Sequence, residues 1–234
     1  MDFAEAKLPQ GIIRFNNCYK KSILVIAGGR KPRLSWLQLL KSECDIYAAD
    51  KGLDYCLEAN FYPKIAYGDK DSSNPSNWLK AEKAGVICKI FSPDKDDTDL
   101  QLLLKGLPSE SLVIATGIWG GRADHLYSNI FSLLAYKQKK NSQVILADQQ
   151  EIMVLMKEGE EVTFIQRQES LAVSLLPLGN INKVSISGVK WPLKQTILRK
   201  NKPYAISNEI EKNTIKVMCH SGYVGFYINF ECEE

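Results

Sequence analysis

The sequence predicts an α/β protein, with an N-terminal three-layer domain built on a mostly parallel sheet and a C-terminal antiparallel β-sandwich domain. Two observations predict it. Up to Asp148, short apolar runs that end in Gly, Pro or Asp alternate with longer segments of helical spacing, an alternation typical of Rossmann-like folds. After Asp148 the helical segments stop and short strand-like runs follow. We therefore predict domains at residues 19–148 and 151–234, and a loosely attached arm at residues 1–18.

Composition and spacing assign the elements of the first domain. Its predicted strands are short, β-branched and closed by turn residues: "SILVIAGG", "DIYAAD", "KIAYGD", "GVICKIFSP", "SLVIATG" and "QVILAD". Helices are predicted at "DTDLQLLLKGL" and "ADHLYSNIFSLLAYKQKK". In the second helix Leu126, Ile130, Leu133 and Leu134 fall on one face, and lysines fill the last turn, where the helix dipole favours cations.

The second domain is predicted from strand-like runs alone. They are "IMVLM", "EVTFIQ", "LAVSLLPL", "KVSISGV", "TIKVMCH" and "YVGFYINFEC", separated by turn residues such as "KEGE" and "GNIN". A series of short strands joined by short turns favours antiparallel pairing.

Composition gives no indication of a nucleic acid or membrane partner. Thirty Lys and Arg against 27 Asp and Glu give a net charge of only +3, which argues against nucleic acid or a membrane surface as a main partner. The six cysteines include no CxxC pair, the N-terminus lacks the pattern of a signal peptide, and no long uncharged apolar span occurs. We therefore expect a cytoplasmic protein.

Acidic side chains follow four successive strands of the predicted sheet. Ligands of open parallel sheets bind beyond the carboxyl ends of the strands, so these side chains are expected at one edge. Clustered carboxylates repel one another unless a cation lies among them, and several hard oxygen ligands suit Mg²⁺ with phosphates as co-ligands. The pattern therefore predicts a site for Mg²⁺ and a nucleotide. The residues are Asp50, Asp69, Asp71, Asp96, Asp97, Asp99 and Asp124.

Each of these acids, taken alone, also has a structural interpretation. Aspartate is common at strand ends because it forms Asx turns and caps helices, and Asp94 or Asp96 could cap the helix that begins near Thr98. On that helix Asp96 and Asp99 would lie one turn apart on one face, where both can reach one ion. It is the coincidence over four strands that favours a metal.

The segment "GIWGGRADH" adds positive charge at the same edge. Its glycines let the backbone approach a ligand, the helix that follows offers free amide groups to phosphate, and Arg122 supplies a planar, permanently charged fork. Taken alone, such a loop is more often a tight turn. No Walker A or GxGxxG pattern occurs, and neither histidine, His125 or His220, has the neighbours of a zinc site or a serine hydrolase.

Together, "GDKDS", "KDDTD" and "GGRADH", in this order and spacing, resemble the motifs of the thiamin pyrophosphokinase family. The resemblance covers residues 22–230 and extends to "SGVKWPL" and "ISNE". It implies an ATP-dependent diphosphotransferase that moves a pyrophosphoryl group to the hydroxyl of thiamin and leaves AMP. Residues 19–148 would then be the ATP- and Mg²⁺-binding catalytic domain, and residues 151–234 the thiamin-binding domain.

The same resemblance implies roles for individual residues. Lys95 and Arg122 would neutralise charge during transfer, and Asp71 would take the proton of the hydroxyl. The implied metal ligands are Asp69, Asp71, Asp96 and Asp99. The implied nucleotide contacts are Asp50, Gly120, Gly121, Arg122, Asp124 and His125. The implied substrate contacts are Thr98, Trp191, Ser207 and Asn208.

On the substrate side, Trp191 would attract the flat, cationic rings of thiamin by stacking. Without the resemblance, Trp191 reads as a core aromatic of the sandwich. The family also implies a homodimer with the site between subunits. Two alternatives stay open: a related kinase with another acceptor, and a non-catalytic sensor of thiamin or a nucleotide, which would have no need of the acids.

One position departs from the family pattern. Family members usually carry a Gly-Gly pair after the Asp of the "AD" segment, whereas Lys51 replaces the first of these glycines here. If that position requires a positive φ, Lys51 is expected to strain the loop; if it approaches phosphate, Lys51 adds a cation beside the nucleotide.

Overall fold

A computed structural model describes residues 4–40, 44–69, 73–92 and 94–231. It divides into two compact units, residues 20–144 and residues 1–19 together with 145–234. In chain order the elements are β1 (Ala4–Leu8), β2 (Gly11–Phe15), β3 (Lys21–Ile26), α1 (Leu34–Gln38), β4 (Asp45–Ala49), α2 (Gly52–Glu58), β5 (Ile65–Gly68), α3 (Pro75–Lys83), β6 (Ile87–Ile90), α4 (Asp99–Gly106), β7 (Ser111–Thr116), α5 (Ala123–Lys140), β8 (Gln143–Ala147), β9 (Glu151–Lys157), β10 (Glu161–Gln166), β11 (Ser170–Pro177), β12 (Ile181–Ser187), β13 (Leu193–Arg199), β14 (Thr214–Ser221) and β15 (Tyr223–Phe230).

The unit of residues 20–144 is built on parallel strands in the order β7-β3-β4-β5-β6, with β8 beside β7. Strand β7 is buried along its whole length, as expected of a parallel strand whose faces are covered by βαβ connections, whereas β6, at the edge of the sheet, is mostly exposed. In register, Ile26 pairs with both Ala48 and Thr116, and Gly68 pairs with Ile90. The segments after these strands therefore begin at one edge of the sheet, as the strand-end argument requires.

The two helices predicted from the sequence both begin at that edge. The helix predicted at "ADHLYSNIFSLLAYKQKK" is confirmed as α5, which ends at Lys140 and is followed by Asn141 in the left-handed conformation, φ 49°. Helix α4 begins at Asp99, because Thr98 and Gln101 form a reciprocal capping box: the Gln101 amide donates to the Thr98 hydroxyl at 3.2 Å, and the Thr98 amide to the Gln101 side chain at 2.9 Å. The expectation that Asp94 or Asp96 caps this helix, or that Asp96 lies on it, is wrong.

The other unit is antiparallel throughout its ladders. One set of strands runs β1-β2-β10-β14-β12-β13, and another runs β11-β15-β9. The expectation of a loose N-terminal arm is wrong, because β2 pairs with β10 and Ile13 and Phe15 are buried. Their alternation with polar neighbours is the period-2 signal of a strand.

The chain is thus a mixed α/β protein. Its two units divide between Val144 and Ile145, inside β8. The predicted boundaries at 148 and 151, and the division of roles between the two domains, stay predictions. No helix in the described ranges is long and apolar enough to span a membrane.

Candidate functional site

A cleft of about 650 Å³ opens at the carboxyl edge of the parallel strands. It is lined by the segments that follow β3, β4, β5 and β7, and by the first turns of α4 and α5. This is the position where open parallel sheets bind their ligands. Many of the acids and glycines singled out in the sequence line this one cleft.

Three carboxylates meet at the base of the cleft. Oxygen atoms of Asp50, Asp69 and Asp99 all lie within 4.8 Å of one another. Asp50 directly follows β4 and Asp69 directly follows β5, so the parallel pairing of these strands brings the two together. Asp50 has a φ of 59°, and its amide donates to the Tyr67 carbonyl at 2.8 Å, which holds the strained turn in place. Asp99, at the start of α4, is buried.

Lys95 supplies the positive charge of this cluster. Its ammonium lies 3.3 Å from Asp69 Oδ2 and 3.4 Å from Asp99 Oδ1. Burial lowers the pKa of Lys95, but attraction to Asp99 and Asp69 outweighs it, and the net pKa is raised. Burial, followed by repulsion from Asp50, raises the pKa of Asp99 against the opposing effect of Lys95. The Lys95 ammonium thus lies beside two of the three carboxylates, Asp69 and Asp99.

The donor atoms of this cluster fit a hard divalent cation. All are carboxylate oxygens, the type that Mg²⁺ prefers. Asp99 Oδ1 is buried and makes no hydrogen bond of normal geometry, although it lies within ion-pair distance of Lys95. A buried acceptor in this condition costs free energy, which a ligand cation offsets.

The cluster differs in part from the ligand set predicted from the sequence. Asp69 and Asp99 come together, whereas Asp96 lies exposed on the cleft wall ahead of α4, and Asp71 lies outside the described residues. Asp50, predicted as a nucleotide contact, is the third member. The sequence signal that could have assigned Asp50 to this cluster is its position at the end of β4, the strand that pairs with β5.

The glycine-rich loop and Arg122 lie on the rim of the cleft. Gly120 and Gly121 have φ values of 74° and 68°, conformations that favour glycine. Arg122 precedes α5 and donates two hydrogen bonds to the Asp124 carboxylate, from Nε at 3.1 Å and from a terminal nitrogen at 2.6 Å. These bonds, and one from the amide of His125, lower the pKa of Asp124 to about 2. Both side chains are exposed, so the pair can rearrange at little cost.

The sequence reasoning missed part of the cleft lining. Gly28 and Gly29 follow β3 at the same edge, a signal of the kind used for the acids, and Ser128 and Asn129 follow one turn into α5. Gly29 cannot carry a side chain, because a Cβ would lie 2.5 Å from the Gly117 carbonyl oxygen. Gly28 is exposed and leaves its backbone accessible to a ligand, whereas Gly29 allows close packing against the main chain of Gly117.

Lys51 also lines the cleft, without strain. Its φ is −58°, an ordinary helical value, so the expectation of a strained loop is wrong. The positive φ belongs to Asp50 instead. The other expectation, of a cation beside a nucleotide, stays a prediction.

The predicted substrate contacts divide between the two units. Thr98 lines the cleft, and its hydroxyl is engaged in the cap of α4. Trp191, Ser207 and Asn208 lie together in the other unit, where the Asn208 side chain bonds the main chain of Trp191 on both sides, accepting from the amide at 3.1 Å and donating to the carbonyl at 2.7 Å. Trp191 is 53% exposed, so its interpretation as a core aromatic is wrong.

Both units match models of known families. Residues 36–146 match the catalytic domain of thiamin pyrophosphokinase, and residues 161–224 match its vitamin B1 binding domain. The chain is 32% identical over 195 residues to thiamine pyrophosphokinase of Bacillus subtilis, covering 81% of this chain and 90% of that protein. It is 30% identical over 167 residues to thiamine pyrophosphokinase 1 of Arabidopsis thaliana, covering 67% of this chain and 62% of the relative.

Solved structures agree with these sequence matches. The crystal structure of thiamine pyrophosphokinase from Bacillus subtilis superposes with a TM-score of 0.77 at 28% identity, covering 91% of this chain and all of that one. Thiamin pyrophosphokinase from Candida albicans gives a TM-score of 0.74, covering 90% of this chain and 89% of that one, and at 16% identity this likeness concerns the fold alone.

Proposed function

This chain belongs to the thiamin pyrophosphokinase family, and from that premise we propose that it transfers the pyrophosphoryl group of ATP to the hydroxyl of thiamin, giving thiamin diphosphate and AMP. One observation carries the proposal: three carboxylates and a lysine converge at the base of a cleft that is large enough for a nucleotide. We assign the polyphosphate site to the segment that matches the catalytic domain, and the aromatic site to the segment that matches the vitamin B1 binding domain.

The carboxylates are the proposed metal site. Asp50, Asp69 and Asp99 would hold Mg²⁺, with Asp71 and Asp96 as the further ligands that the sequence motifs imply. When bound, the ion neutralises phosphate charge and orients the triphosphate. The fit rests on the oxygen-only donor set and on the buried, hydrogen-bond-deficient Oδ1 of Asp99.

The transfer itself is an in-line displacement at the β-phosphorus of ATP. The thiamin hydroxyl oxygen bonds to that phosphorus, the bond from it to the bridging oxygen of the α-phosphate breaks, and AMP leaves with the electron pair. Lys95 lies where it can shift from Asp69 and Asp99 to a phosphate oxygen, and Arg122 can leave Asp124 for the same purpose. Such chemistry depends chiefly on alignment and charge stabilisation. The hydroxyl proton passes to an acid of the site, for which the motif nominates Asp71.

The rim holds the nucleotide in this proposal. Gly120 and Gly121 let the backbone approach the phosphates, and the N-terminus of the 18-residue helix α5 adds amide groups and a favourable dipole. Asp124 and His125 would fix the rest of the nucleotide. Lys51 adds a second cation to the cleft wall.

The proposal extends to thiamin and to assembly. Trp191 would stack on a thiamin ring, with Ser207 and Asn208 beside it, and the chain would act in the cytoplasm as a homodimer with its site between subunits. It also includes the finer architecture, a Rossmann-like three-layer arrangement for residues 19–148 and a β-sandwich for residues 151–234.

The deciding experiment is incubation with ATP, Mg²⁺ and thiamin, followed by identification of the products by mass. AMP and thiamin diphosphate should form in equal amounts. ADP with thiamin monophosphate would indicate ordinary phosphoryl transfer, and turnover with other hydroxylated heterocycles alone would indicate another acceptor. Absence of any product, with retained thiamin binding, would indicate a sensor.

A further inference from the structure

The exposed indole of Trp191 is in contact with a cation of its own chain, the Lys190 ammonium. The Lys190 ammonium lies 4.8 Å from the centre of a Trp191 ring, a cation–π distance. The same ammonium donates to Glu209 Oε2 at 2.7 Å. The positive charge of Lys190 therefore lies between an aromatic face and a carboxylate. A cationic aromatic ligand could make the same two interactions.

The main chain around this group is fixed. The Lys190 amide donates to the Glu209 carbonyl at 2.9 Å, and Val189 bridges to Ile210. Asn208 bonds both the amide and the carbonyl of Trp191. The lysine and glutamate side chains, in contrast, are about half exposed, 46% and 58%. The ammonium can therefore leave the ring by side-chain rotation while the platform beneath it stays in place.

We propose that Lys190 occupies, on the face of Trp191, the place of a cationic heteroaromatic ring, and that Glu209 becomes the counter-ion of that ring when Lys190 moves aside. The inference deepens the proposed function, since it assigns to this platform the positively charged ring of thiamin as its class of ligand. Lys190 and Glu209 are specificity-determining residues in this account, and Asn208 is a positioning residue that acts through Trp191.

The two residues should have opposite effects on binding. A cationic ligand must displace the Lys190 ammonium from the indole and then lies close to a like charge, so Lys190 weakens binding of the ligand. Glu209 carries the opposite charge and strengthens its binding. An exposed cation–π contact corresponds to a change of about two- to fivefold in a dissociation constant. Binding of an uncharged ring must also displace Lys190, which costs free energy, but Glu209 does not attract a ring that carries no charge. The pair therefore selects for charge, while Trp191 selects for aromaticity.

The test is the dissociation constant of thiamin, measured by calorimetry on the full chain without ATP. We expect Lys190→Gln to bind thiamin about two- to fivefold more tightly, Glu209→Gln to bind it about two- to fivefold more weakly, and the double variant to fall between them. Lys7→Gln is the matched control, since Lys7 forms an exposed pair with Glu5, at 3.7 Å, in the same unit, and its removal should change nothing.

A thiamin analogue in which carbon replaces the quaternary nitrogen separates charge from shape. Glu209→Gln should leave its dissociation constant unchanged. The inference is overturned if Lys190→Gln leaves thiamin affinity unchanged or weakens it, if Lys7→Gln has the same effect, if Glu209→Gln weakens both ligands equally, or if no variant binds thiamin. Failure of the proposed function is a separate outcome: the wild-type chain then makes no thiamin diphosphate, while the opposite shifts in binding persist and support the platform.

Discussion

Lys95 in the cleft and Lys190 on the aromatic platform are both lysines beside acids, but their surroundings differ. The Lys95 side chain is 16% exposed and lies between two acids, one of which is buried, on segments held by strand pairing and a capping box. Lys190 is 46% exposed, has one acid partner and rests on a ring. A buried pair is expensive to disrupt on one side only, whereas an exposed pair contributes little and moves freely. We infer that Lys95 leaves its two acids only when other charged groups take its place, whereas Lys190 moves aside freely.

The largest effect on activity is expected from Asp99→Asn in the cleft. The change removes one of three converging charges at nearly constant shape, so we expect a loss of about a hundredfold or more in kcat/KM with the fold retained. Product formation measures kcat/KM, and circular dichroism measures whether the fold is retained. Asp45→Asn is the matched control, because Asp45 pairs with Lys64 at the start of β4, away from the carboxyl edge, and should keep full activity. Loss of folding in Asp99→Asn would instead assign the residue a structural role.

Replacement of the two lysines by methionine compares the sites directly. Lys95→Met leaves Asp50, Asp69 and Asp99 without the ammonium, and we expect a loss of about 1–3 kcal/mol in unfolding free energy, against less than about 0.5 kcal/mol for Lys190→Met. Added Mg²⁺ should restore more of the Tm of Lys95→Met than it adds to wild type, because a cation relieves the same repulsion. Thermal unfolding with and without Mg²⁺ measures this. Equal effects of the two substitutions would remove the distinction between the sites.

Trp191→Ala acts on the platform alone. Loss of the aromatic face should weaken thiamin binding about two- to thirtyfold, the equivalent of about 0.5–2 kcal/mol, and leave ATP binding unchanged. Calorimetry with each ligand separately decides the question. If both affinities fall together, the residue serves the fold and not the ligand.

Asn208→Ala should have the smallest effect on thiamin. It removes two hydrogen bonds to the Trp191 main chain, so the indole is held less firmly and thiamin affinity should fall by only about two- to fivefold. The additional effect in a Trp191→Ala background separates positioning from contact. A positioning residue loses its effect there, whereas direct contact with the ligand would leave the effect intact.

The sequence predicted much of the cleft because its signals are local. An aspartate that ends an apolar run lies at the carboxyl end of a strand whatever the strand pairs with, so Asp50 and Asp69 could be nominated for one edge. It failed for Asp96, because a capping box at Thr98 competes with a helix start further upstream. It failed for the N-terminal residues, because β2 pairs with β10, far away in the chain.

The sequence by itself determined which residue types were available: strand-end acids, a glycine-rich loop before a helix, and a tryptophan among strands. Only the tertiary structure decided which acids share a site, because the parallel pairing of β4 with β5 and the left-handed turn at Asp50 bring that carboxylate to Asp69. It also decided that Trp191 faces solvent under Lys190. Distance and burial depend on contacts between segments remote in sequence, and local periodicity carries no information about those contacts.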